Sequence, residues 1–160
     1  MAQYTGILCH ITSLPNGLGD GEKFIDYIVN YGANAWQMLP ITPPDEHGSP
    51  YASPSAFAAW DSLGQSLRLD LDEEEYWLED WLLYEAIKEK FDGRPWFEWP
   101  EEYRDRHPSA LATITTDSQK QAGFMGRWKE VQDYAVSKNV SLIGDLPIFV
   151  AHDSADVWAH

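Results

Sequence analysis

The chain has 160 residues, 44% of them apolar, which suits one globular domain with its own core. With 26 Asp and Glu against 11 Lys and Arg, its formal net charge is -15. That balance argues against nucleic acid and anionic membrane surfaces as partners, because both need clustered cations.

A single cysteine, Cys9, excludes an internal disulfide framework and a Cys-rich metal centre. It lies in an apolar run and reads as a small buried hydrophobe rather than a nucleophile. The opening residues lack the basic-then-apolar pattern of a signal peptide. No apolar stretch nears the roughly 18 residues of a membrane span, so the expected location is the cytoplasm. The 8 Trp, 8 Tyr and 6 Phe stand out. Such rings fill cores, and they also cover the apolar faces of sugar rings.

In chain order, Gly6 to Ile11 is a short apolar run that predicts a buried strand. A Gly-rich loop, Asn16 to Asp20, follows, with Asp20 expected to cap a helix. Phe24, Ile28 and Tyr31 recur at helical spacing, with Ile25 and Val29 beside them, and Gly32 sits where a helix ends. Ala35 to Ile41 predicts a second strand, completing a βαβ unit. A long Pro-, Ser- and Gly-rich loop runs from Thr42 to about Trp60, a length at which loops are commonly functional. A helix is expected over about 72–91, opened by Asp72 and Glu75 at capping-box spacing, with Trp77, Trp81 and Tyr84 on one face. Residues 92–118, including Trp96 and Trp99, read as irregular, with a short helix near Glu101. A helix over about 119–137 should bury Phe124, Trp128, Val131 and Tyr134 or Ala135. Val140 to Val150 predicts a third buried strand running into a loop.

Three strands joined by helical crossovers fit an open doubly wound sheet or a (β/α)8 barrel. Gly17-Leu18-Gly19-Asp20-Gly21 lacks the third glycine of a dinucleotide fingerprint, and no P-loop is present. In a barrel the chemistry lies at the carboxyl ends of the strands. Three polar clusters fall there: His10 with Thr12 and Ser13, the Gly48-Ser49-Pro50-Tyr51 loop, and Asp145. His10 can equally be a satisfied core histidine, and Ser49 and Tyr51 can simply shape a turn. Asp145 lies in an apolar strand, where a carboxylate should be bonded to an Arg or exposed in a cleft.

The run Gly6-Ile7-Leu8-Cys9-His10-Ile11-Thr12-Ser13-Leu14-Pro15 resembles the first barrel strand of the 4-α-glucanotransferases, or amylomaltases. Trp36-Gln37-Met38-Leu39-Pro40 resembles their second strand. Gly48 to Tyr51, followed by Ser55-Ala56-Phe57-Ala58, resembles the loop lining their donor site. Ile143 to Trp158 resembles the first conserved region of the family, at the end of the third strand. The resemblance implies an α/β fold, the first three strands of a (β/α)8 TIM barrel with a shortened helical insertion over 61–118 between strands 2 and 3. Residues 1–160 would form one partial catalytic domain. It also implies a cytoplasmic transglycosylase that needs no cofactor or metal and moves α-1,4-glucan segments between maltooligosaccharides or starch-like glucans. Ser49 and Tyr51 would then contact substrate, and Asp145 would support the catalytic cluster.

A retaining mechanism needs two carboxyl groups about 5–5.5 Å apart. In the family these acids follow the fourth and later strands, and no catalytic residue is expected within this chain. Asp145, Asp153 and Asp156 give no spacing that would replace them. A barrel takes about 250 residues, so the chain reads as a truncated portion, expected to be inactive alone. A non-catalytic α-glucan-binding or interaction fragment is the alternative.

Overall fold

The computed structural model describes residues 3–63 and 75–160. The backbone divides into two compact units. One comprises Met1–Ile41, Ala59–Leu71 and Gln119–Leu146, and the other Thr42–Ala58, Asp72–Ser118 and Pro147–His160. We refer to them as the sheet unit and the helical unit.

The sheet unit holds three parallel strands, β1 (Gly6–Leu8), β2 (Ala35–Gln37) and β3 (Ser141–Ile143), in the order β1-β2-β3. Ile7, Trp36 and Leu142 lie abreast, so Leu8, Gln37 and Ile143 mark one common carboxyl end. All three strands were expected to be buried, yet only β2 is, through Ala35 and Trp36. β1 and β3 are the outer strands of this sheet, and Leu8 and Ile143 are 60% and 42% exposed. Parallel strands are buried where neighbours and helices cover them on every side, and the edges among the described residues have a neighbour on one side only. β1 is also shorter than its apolar run, because the chain turns into a 3-10 helix at Ile11–Ser13.

Helix α1 (Gly21–Asn30) turns Ile25 and Ile28 fully inward. Tyr31, expected on that stripe, is exposed because the helix ends before it. The chain leaves through Gly32 at φ +77°, with Ala33 N–H donating to Ile28 O at 3.1 Å, a left-handed exit that glycine makes without strain. Asp20 does not cap α1 with its side chain. Its carboxylate accepts instead from Asn16 N–H at 3.1 Å, Asn16 Nδ2 at 2.8 Å and Lys23 Nζ at 2.8 Å. Lys23 first, then Asn16, hold that carboxyl below its ordinary range.

A second long helix, Gln119–Ser137, buries Phe124, Val131 and Ala135, while Trp128 and Tyr134 are partly buried against the same core. Val131 lies so near Gly21 that a Cβ there would meet it at 2.7 Å. Each large side chain fully buried in this core contributes about 1.5–3 kcal/mol. Gln121, 1% exposed, binds Ala59 twice, accepting from its N–H and donating to its carbonyl, both at 2.9 Å. Those bonds satisfy a side chain that would otherwise be costly to bury.

The helical unit centres on α2 (Leu78–Lys90). It starts later than its acidic lead predicts. Asp72 lies outside the described residues, and Glu75 accepts from Trp77 Nε1 at 3.0 Å. Trp77, Trp81, Tyr84 and Trp99 are all under 9% exposed, so these rings are core and not sugar platforms. The short helix expected near Glu101 is α3 (Glu101–Arg104), and a second, α4 (Pro108–Leu111), follows in the stretch expected to be irregular. The helix Gln119–Ser137 of the sheet unit is α5, and the helical unit ends in α6 (Ala155–Ala159), whose Trp158 packs edge-on to Trp99. Among the described residues no helix is long and apolar enough to cross a membrane.

Candidate functional site

The loop after Ile41 is ordered by its own side chains. Thr42 Oγ1 donates to Pro50 O at 3.1 Å. Asp45 Oδ1 accepts from His47 N–H at 3.0 Å and Ser49 N–H at 2.7 Å, an Asx turn closed by Gly48 at φ +81°. Ser49 then caps a 3-10 turn over Pro50–Ala52, its Oγ accepting weakly from Tyr51 N–H at 3.4 Å. Pro50 is buried, and Tyr51 leaves the turn with 45% of its surface exposed. Ser49 and Tyr51 are therefore brought together as a rigid step bearing an aromatic face.

Beyond this step the chain is stitched again. Ser53 Oγ donates to Ser55 O at 2.6 Å, and Ser55 Oγ accepts from the Phe57 and Ala58 amides at 3.1 Å each. Asp156 Oδ2 accepts from Ala56 N–H at 2.9 Å, and Ala155 N–H donates to Pro54 O at 2.8 Å.

Asp153 accepts from three donors. Tyr84 OH donates to its Oδ1 at 2.8 Å, Trp96 N–H to the same oxygen at 3.1 Å, and Lys88 Nζ to Oδ2. Burial first, then the bond to Asp153, push the Tyr84 hydroxyl upward, so it stays a donor. The neighbouring His152 stacks on Trp96 with centroids 5.5 Å apart. Asp153 also lines a cavity of about 570 Å³ with Lys88, Asp45, Glu46 and His47. A carboxylate holding three donors acts as a structural anchor for this unit, and Asp156 is engaged by the Ala56 amide. Sequence reasoning missed Tyr84, Lys88 and Trp96 as the partners, because they lie 57 to 69 residues away.

In the sheet unit, Asp145 stands two residues beyond β3. It is exposed, and its Oδ1 accepts from Leu146 N–H at 2.9 Å. Exposure removes the cost of burying it, so the argument from an apolar strand, which expected an Arg partner or exposure in a cleft, does not apply. His10 stands two residues beyond β1, 7% exposed and tilted beside Trp60 at 6.4 Å. Neither of its ring nitrogens has a partner among the described residues, so it is not a satisfied core histidine. Burial lowers its pKa. Thr12 and Ser13 are exposed. Cys9 is half-buried rather than buried as expected, and desolvation pushes its thiol up, away from thiolate. Among the described residues, Glu101, Asp105 and His107 could share a cation, but all three are exposed and Asp105 already accepts from Arg104 at 2.7 Å.

Three parallel strands joined by helical crossovers define an α/β protein, and comparison with known proteins narrows the class. The family model for 4-alpha-glucanotransferase matches residues 9–72 and 61–160. The chain belongs to that family. It is 31% identical to the chloroplastic/amyloplastic 4-alpha-glucanotransferase of Arabidopsis thaliana over 229 residues, covering 97% of this chain and 39% of the relative. It is 33% identical to the 4-alpha-glucanotransferase of Synechocystis sp. over 227 residues, covering 98% and 45%. Its fold matches the amylomaltase from Streptococcus agalactiae in complex with acarbose with a TM-score of 0.83 and 27% identity, covering 98% of this chain and 46% of that one. The chain thus spans less than half the length of these relatives. Both sequence matches run longer than the chain's own 160 residues, so each relative carries residues within the matched span that this chain lacks.

Proposed function

We propose that the chain is the amino-terminal part of a 4-alpha-glucanotransferase. The enzyme would move α-1,4-glucan segments between maltooligosaccharides through a covalent intermediate with retained configuration. The observation that carries this is the family match from residue 9 to residue 160. On this reading β1, β2 and β3 are the first three strands of a (β/α)8 barrel. The residues 61–118 form a shortened insertion, and the overlap of the two family matches at 61–72 supports a deletion near there. Tyr51 offers its exposed ring to the sugar beside the scissile bond, Ser49 shapes that pocket, and Asp145 supports the catalytic carboxylates by hydrogen bonding. The pair of acids, about 5–5.5 Å apart in a retaining enzyme, lies outside these 160 residues. The enzyme acts in the cytoplasm, in keeping with a chain that has one cysteine and needs no disulfide.

With Asp153 and Asp156 engaged in protein hydrogen bonds, no turnover is expected of these residues alone. Purified 160-residue protein is expected to release no glucose from maltotriose, and to do so once a polypeptide corresponding to the uncovered part of the relatives is supplied. Glucose release by the chain alone would overturn the placement of the acids.

A further inference from the structure

Asp156 belongs to the family-like run at Ile143 to Trp158, yet the proposed chemistry gives it no task. Its position gives it one. Its carboxylate reaches across 100 residues of sequence to accept the Ala56 amide at 2.9 Å. One residue earlier, Ala155 N–H donates to Pro54 O at 2.8 Å. Two bonds to alternate residues of one loop segment form a clasp, fixing its direction as well as its distance. The base of the clasp is itself rigid. Ser154 is 0% exposed and its Oγ caps the first turn of α6 by accepting from Val157 N–H at 3.2 Å.

The clasped segment leads back to Tyr51 without slack. Ser53 and Ser55, each 2% exposed, bond to one another, so a shift at Ala56 is transmitted to the Pro50–Ala52 turn. The upstream side is anchored through Thr42 and Asp45. Tyr51 is thus held from two directions, and the Asp156 bond is the side-chain part of the downstream hold.

We propose that Asp156 is a positioning residue for the glucan-binding step, setting the place of the Tyr51 ring through Ala56. This rests on the reading that Tyr51 contacts glucan. A carboxylate accepting a backbone amide is a charge-assisted bond, stronger than a neutral one, and a small misplacement of a binding group is costly. Asp156→Ala removes the acceptor and leaves the Ala56 amide unpaired. Asp156→Asn keeps an acceptor oxygen at the same reach.

The test uses the 160-residue protein and maltoheptaose, with binding read from Trp fluorescence and amide exchange read at Tyr51 and Ala56. Asp156→Ala is expected to bind about tenfold more weakly, a loss of about 1.4 kcal/mol, with faster exchange at both amides. Asp156→Asn is expected to restore most of both. Wild-type binding with unchanged affinity in Asp156→Ala would overturn the inference and leave the functional reading standing. Equal losses in both variants, tracking a lowered melting temperature, would reduce Asp156 to a structural role and overturn it too. No saturable binding by the wild-type chain would remove the functional reading and this inference with it.

Discussion

The sheet unit is closed by apolar side chains at the spacings that strands and helices dictate. Ile25, Ile28, Phe124, Val131 and Ala135 all fall on their expected faces. The helical unit is closed differently. Its aromatic core of Trp81, Tyr84, Trp99 and Trp158 is tied by directed bonds that join α2, the Trp96 turn and the start of α6 through a single carboxylate. The first kind of cohesion is non-directional and spread over many contacts. The second is concentrated, and the loss of one group strands several others.

The sharpest way to break this comparison is Asp153→Ala. It leaves the Tyr84 hydroxyl, the Trp96 amide and the Lys88 ammonium without their shared acceptor. Both members of the Lys88–Asp153 pair keep under a third of their side-chain surface in water, so the bonds are only partly screened. A destabilisation of about 2–3 kcal/mol is expected, read by urea unfolding followed through Trp fluorescence. A loss below about 0.5 kcal/mol, the usual range of a surface change, would show that the helical unit is held by ring packing alone.

The sheet unit has one concentrated weakness of its own, His10. Burial lowers its folded pKa beneath the ordinary value of 6.5 that the unfolded chain retains. Between those two values the unfolded chain holds a proton that the folded chain does not, so stability rises with pH through that window. The contribution is fully present above about pH 6.5, falls as pH drops through the window, and levels off below the folded pKa. Urea unfolding across about pH 5 to 8 should show stability rising with pH in that window, and His10→Phe should flatten the rise. An unchanged slope in the variant would place the pH dependence elsewhere.

This contrast also explains what was legible in the residues. The three strands, α1, α5 and the Gly32 exit follow from apolar period and turn chemistry, which act over a few residues. Strand burial is not legible in the same way, because it depends on neighbouring chain and not on the strand's own composition. Asp20 shows the same limit locally: a capping residue type was present, but Asn16 and Lys23 compete for the carboxylate. The Ser49–Tyr51 step was legible as a motif. Its supports, Asp156 above all, were not, because nothing near Ala56 in the sequence announces an acceptor 100 residues away.

The smallest expected effects compare like with like across the two units. α2 and α5 end in the same way, with a non-glycine residue in the left-handed region: Asp92 at φ 55° and Asn139 at φ 56°. In each case the next amide reaches back, Gly93 to Lys88 O at 2.8 Å and Val140 to Ala135 O at 2.9 Å. Glycine adopts this conformation without a Cβ penalty, so both Asp92→Gly and Asn139→Gly should stabilise, offset in part by the freer unfolded chain. The two should differ. Asn tolerates the left-handed region well, whereas Asp92 also sets a negative charge at the negative end of the helix dipole. Asp92→Gly should therefore gain about 0.5–1 kcal/mol and Asn139→Gly only about 0.3 kcal/mol, with the Asp92 gain shrinking in high salt. Equal, salt-independent gains would assign both effects to backbone conformation and leave the dipole no part in ending α2.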